Sequence, residues 1–290
     1  MMVVVPTPRC GIVLAALALI VGGMSAADPT PPKMRFAANT PKDAQHWQTE
    51  ARTKVFALLQ MADLQASRAP DGKAIPFDAK ELRSEDRGKY VWSERELNST
   101  PTRKIKIVLT LPKEDKPGEK RPAVVCIHGH GGNRYIVYDR KSVYRGFAAD
   151  LAERSFVTIS TDVGQHEVYE KGRTLMGERL WDVLRCADYL ASLPEVDDHR
   201  LGCAGLSLGG EMAMWLGAMD PRMRGTVSSG FLTTVANMRR GHCPCWDFPG
   251  LTENFDFSDI YSLTAPRPLL CQNGRKERAP GGFPVEIAEV

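Results

Sequence analysis

Between residues 41 and 66 the apolar side chains of Trp47, Ala51, Val55, Leu58 and Leu59 recur at three- and four-residue spacing. That period predicts an amphipathic helix. Pro70, Gly72 and Pro76 end it in a polar stretch. Residues 89–97 and 104–111 read as strands, and in the second Ile105, Ile107, Leu109 and Leu111 alternate as one buried face requires. Beyond Pro122 the texture changes. Short apolar runs at 123–127, 156–160, 200–206, 225–229 and 268–271 predict strands, with helices over 143–155, 176–193 and 208–219 between them. Continuous apolar strands alternating with amphipathic helices predict an α/β fold, a mostly parallel sheet with helices on both faces. Residues 231–257 lack periodicity and carry Gly, Pro and aromatics, which predicts a long loop near the site.

The first residues have a different texture. Arg9 precedes ten unbroken apolar residues, 12–21, and Ser25-Ala26-Ala27 follows as a small-residue cleavage site. This is the pattern of a signal peptide over 1–27, with the mature chain starting at Asp28. Ten apolar residues fall well short of the ~20 a spanning helix needs. The expectation is a secreted or periplasmic protein with no membrane attachment after cleavage. Residues 28–100 then form a lead-in segment with its helix, and 101–290 the main domain.

Composition adds exclusions. Hydrophobic residues are 43% and charged residues 25% of the 290, which excludes a disordered chain, a collagen and a multi-span membrane protein. Lys plus Arg is 38 against 35 for Asp plus Glu, so the net charge is only +3, and no basic cluster interleaves with aromatics. Nucleic acid is not an expected partner. Of seven cysteines, Cys126, Cys203 and Cys271 fall in predicted strands and Cys186 in a helix, so they read as buried thiols instead of a disulfide framework. His242-Cys243-Pro244-Cys245 has metal-ligand residue types, but no second Cys/His pair stands at ligand spacing. No metal and no organic cofactor is expected.

The chemistry concentrates in two short motifs. Gly205-Leu206-Ser207-Leu208-Gly209 is G-x-S-x-G, directly after a predicted strand and before a predicted helix. A serine on that sharp turn exposes its hydroxyl, and the glycines keep neighbouring side chains from colliding. His128-Gly129-His130-Gly131-Gly132-Asn133 ends the strand at 123–127. Acyl transfer needs backbone N–H groups aimed at the oxyanion. Leu208 would supply one and this turn, at His130, the other.

These stretches resemble the α/β-hydrolase superfamily, in its acetyl xylan esterase and dienelactone hydrolase-like bacterial branch. The similarity lies in PAVVCIHGHGGN (122–133), WDVLRCADYLASLPEVDDHRLGCAGLSLGG (181–210), APRPLLCQNG (265–274) and HCPCWDFPGL (242–251). It implies a serine hydrolase acting on carboxylic esters through an acyl-enzyme, with small-molecule or carbohydrate esters, acetylated carbohydrate among them, as substrates. Ser207 matches the nucleophile. The family's acid follows the strand at 268–271, where the turn here reads Asn273-Gly274-Arg275-Lys276-Glu277, so Glu277 takes that place. Asp247, Asp256 and Asp259 are weaker candidates. The family's chain order is Ser, acid, His, yet no histidine follows His242. His166 and His242 are the nearest alternatives; His46, His128, His130 and His199 lie on other predicted elements. The expectation is a chain whose last strand and catalytic histidine lie beyond residue 290. Two further readings stay open: a non-catalytic or truncated hydrolase-like chain, and a serine peptidase of the prolyl-oligopeptidase kind.

Overall fold

In the computed structural model, residues 31–69, 72–113 and 118–274 are described. Residues 1–27, expected to be a signal peptide, and Glu277 lie outside them.

Thr40 opens the leading helix, α1 (Pro41–Leu58), by accepting a hydrogen bond at its hydroxyl from Asp43 N, and Pro41 sits at the first helical position. The predicted 41–66 helix is in fact two. Gln60 adopts φ 58°, which no helix accommodates, and α2 (Ala62–Ala66) starts afresh. Buried Gln48 donates from Nε2 to the carbonyls of Ser262 and Ala265, and Arg52 donates to those of Ala218 and Leu263, so the lead-in helix is fastened to the main domain.

Eight strands form one sheet: β1 (Lys80–Asp86), β2 (Tyr90–Asn98), β3 (Lys104–Pro112), β4 (Arg121–Ile127), β5 (Val157–Thr161), β6 (Val196–Leu206), β7 (Met223–Ser229) and β8 (Leu269–Gln272). Their order is β1-β2-β3-β5-β4-β6-β7-β8. The first three and the β3–β5 pair are antiparallel, and β5-β4-β6-β7-β8 are parallel throughout. Strand β1 carries no alternation because all seven residues, KELRSED, are exposed at the edge, so only its pairing with β2 makes it a strand. Charged edges of this kind discourage pairing with another chain.

Both faces of the sheet are covered. Ile107, Leu109, Val125 and Ile127 face a large core with α1, α4 (Leu175–Ser192) and α5 (Leu208–Met219). Val108 and Cys126, pointing the other way, face a smaller core with α3 (Phe147–Glu153). Helix α3 is shorter than the predicted 143–155 because Arg145 and Gly146 both have positive φ, which breaks the turn before it. The region 231–257 is not a featureless loop. It holds α6 (Val235–Met238), a 3₁₀ turn at Pro244–Trp246 and α7 (Leu251–Asn254), and α8 (Phe257–Ser262) follows. These pieces are too short to show a period in sequence. Among the described residues six cysteines are free thiols, as the strand placement of Cys126 and Cys203 predicts. No helix among the described residues is long and apolar enough to cross a membrane.

Candidate active site

Ser207 joins β6 to α5 with φ 61° and ψ −122°, a conformation an L-residue adopts only where its surroundings force it. The forcing groups are glycines. A Cβ on Gly205 would lie 2.1 Å from Gly209 O, and one on Gly209 would lie 2.2 Å from Ile127 O. Backbone occupies both spaces. Strand and helix therefore approach closely at the Ser207 turn, and Leu208, at the first position of α5, carries one of the N–H groups a helix start leaves without an intrahelical acceptor.

The turn after β4 lies against this serine: a Cβ on Gly129 would be 3.2 Å from Ser207 Cβ. Its N–H groups are partly committed. Gly129 N–H donates to Tyr144 Oη and Gly132 N–H to Gly129 O, which leaves His130 and Gly131 as the candidate second oxyanion donors. His128 is fully buried and structural. Its Nε2 accepts from Val163 N–H at 3.0 Å, so Nδ1 carries the proton donated to Gly129 O at 2.8 Å. Burial lowers the pKa of this imidazole and keeps it neutral.

Ser207 opens on a cavity of about 250 Å³ whose walls include Phe231, Met238, Trp246, His130, His242 and Glu211. The six histidines thus sort themselves. His46 pairs with Glu50 on exposed α1, His199 is exposed at the far end of β6, and His128 is committed. His130 and His242 line the cavity, and His166 Nε2 sits 2.8 Å from His130 Nε2 with the rings stacked. Cys243 Sγ is 3.4 Å from His166 Nε2. The fold brings together residues that no local spacing connects.

The secondary acid candidates are helix caps. Asp256 and Asp259 form the reciprocal capping box of α8; Asp256 also accepts from Val235 N and Asp259 from Phe36 N. Asp247 accepts from Phe248 N. Asn273 holds the turn after β8 against the 231–257 region, exchanging hydrogen bonds with the backbone of Leu232.

One cavity residue escapes the motif search. Glu211 is 2% exposed, and its Oε1 has no hydrogen-bond partner among the described residues. Burial raises its pKa to about 8, with the Arg179 guanidinium acting in the opposite direction. A lone Glu in the otherwise apolar helix LGGEMAMWLGAM is the signal that could have found it. A folded-state pKa above the carboxyl's ordinary 4.5 means that the folded state binds the proton more tightly. The stability this contributes is whole below about pH 4.5 and is lost as pH rises toward 8. Glu211→Gln should therefore gain up to a few kcal/mol on wild type between about pH 5 and pH 9. Denaturant titrations of both proteins at the two pH values measure that difference; equal pH slopes would contradict it.

Comparison with known proteins agrees with this architecture. The profile of the Abhydrolase family matches residues 135–280. The Bacillus subtilis protein named "Putative hydrolase YtaP" is 30% identical over 258 residues, covering 79% of this chain and 81% of that one. The chain belongs to the abhydrolase family. Solved structures share the α/β-hydrolase fold with this abhydrolase at lower identity. A putative acetyl xylan esterase from Bacteroides fragilis superposes with TM-score 0.68 at 19% identity, covering 85% of this chain and 72% of that one. A glucuronoyl esterase from Solibacter usitatus gives TM-score 0.60 at 17% identity, covering 86% and 81%.

Proposed function

We propose that this abhydrolase is a serine hydrolase of carboxylic esters, with Ser207 as nucleophile. The observation that carries the reading is the positive-φ Ser207 between β6 and α5, facing a cavity. Such a turn holds the hydroxyl out of both flanking elements, so it can reach a carbonyl carbon. The ester carbonyl oxygen would then accept from Leu208 N–H and His130 N–H, which bind the oxyanion as the tetrahedral intermediate forms. The alkoxide leaves with a proton, an acyl-enzyme remains on Ser207, and water releases the acid. Glu277 would orient the imidazole base.

A cavity near 250 Å³, at the small end for ligand sites, accommodates a short acyl group better than a long chain. A putative acetyl xylan esterase and a glucuronoyl esterase share the fold, which supports carboxylic esters as the substrate class. A panel of aryl and sugar esters tests it. Acetyl esters should turn over fastest, and a preference for long acyl chains would overturn the size argument. The signal-peptide pattern over 1–27 supports a place outside the cytoplasm. N-terminal sequencing of exported protein should begin at Asp28 or within a residue or two; a retained Met1 would contradict cleavage.

A further inference from the structure

We propose that His130, His166, Cys243 and Cys245 form a zinc site beside the Ser207 cavity. The four ligand atoms, two imidazole nitrogens and two sulfurs, all lie within 4.8 Å of one another. A tetrahedral zinc with Zn–N near 2.0–2.1 Å and Zn–S near 2.3 Å requires ligand atoms about 3.3–3.8 Å apart. Two observed separations, 2.8 Å for His130–His166 and 3.4 Å for His166–Cys243, bracket the lower end of that range. Side-chain adjustments of about 1 Å would close the set around an ion. Two nitrogens and two thiolates form a set suited to Zn²⁺, because hard ions such as Mg²⁺ and Ca²⁺ take oxygen.

A second, independent feature converges on the place. Buried Arg179 donates from one guanidinium to the carbonyls of Cys245 and Gln165, the latter next to His166. It therefore fixes the backbone of two of the three ligand-bearing segments before any ion arrives, the kind of outer support that orients metal ligands. The cavity wall there also carries buried Glu211, whose Oε1 has no hydrogen-bond partner among the described residues.

With four protein ligands the ion has no open position, so its work is structural. It would tie the 3₁₀ turn at Pro244–Trp246 to the turn after β4 and to the 162–166 segment, three stretches far apart in sequence. His130, in the cavity wall, would thus be held by its side chain. The inference does not depend on the ester-hydrolase reading, and it is tested without turnover.

Reduced full-length protein, stripped of metal, would be titrated with Co²⁺. The expected result is one equivalent bound, with the intense visible bands of tetrahedral Co²⁺ and thiolate charge-transfer absorption, both displaced by Zn²⁺. Zinc should raise the Tm of wild type by several degrees. Cys243→Ser/Cys245→Ser should lose the spectrum and the Tm rise; a Tm matching metal-free wild type would show that it folds. His166→Ala, retaining both thiols, should weaken binding at least tenfold, in line with loss of a ligand. The proposal is overturned if Co²⁺ gives only a weak octahedral spectrum, if the double-serine variant binds equally well, or if Cys243 and Cys245 form a disulfide and bind no metal after reduction.

Discussion

Replacing Ser207 by alanine is expected to lower ester turnover in the full-length protein by about 10⁴- to 10⁶-fold, the range over which removing a serine nucleophile acts. The oxyanion donors and the cavity survive this change, so a small residual rate above water should remain. Folding should be nearly unaffected, because the turn is fixed by Gly205, Gly209 and the Ser207 N–H donated to Ser229 O at 2.8 Å, none of which involves the hydroxyl. Matched far-ultraviolet spectra and melting curves, beside the loss of turnover, separate chemistry from stability. Undiminished turnover would remove the nucleophile assignment.

The second large effect is steric. Gly205→Ala puts a methyl 2.1 Å from Gly209 O and 2.4 Å from Gly209 C, where only backbone could move. Overpacking of this kind costs about 3 kcal/mol or more. For a domain of this size that corresponds to a Tm lower by roughly 6–12 °C. Because the strain falls on the β6–α5 turn, turnover should fall along with stability. Gly225→Ala, on neighbouring β7 with nothing within 4 Å of the added methyl, is the control and should shift Tm little. Equal effects at both positions would show that the β6–α5 approach is less tight than the geometry states.

The parallel half of the molecule was legible in sequence because its strands are buried on both faces and its helices are long enough to show a period. Helix 208–219 has the same limits in sequence and in structure, since the Ser207 turn marks its start and Asp220 its end. Strand β1 was not legible. Six of its seven residues are polar, all seven are exposed, and it exists through pairing with β2 alone. The division of α1 from α2 was hidden because Gln60 carries no sign of positive φ in its residue type. Ser207 and the His130 turn could be named because their chemistry is compressed into contiguous motifs. The His130, His166, Cys243 and Cys245 cluster could not be found that way, since its members come from three segments. Ligand spacing along the chain shows only His242, Cys243 and Cys245, of which the two cysteines belong to the cluster. Glu211 was also missed, and burial rather than any motif makes it conspicuous.

Identifying the residue that becomes acylated tests the central claim most directly. The full-length protein would be mixed with an aryl acetate, quenched in acid during turnover, digested, and its peptides analysed by mass spectrometry. The account predicts one acetyl group on the peptide carrying Gly205-Leu206-Ser207-Leu208-Gly209, located at Ser207 and absent in Ser207→Ala. Acetylation at another side chain while turnover continues, or turnover with Ser207 never modified, would contradict it.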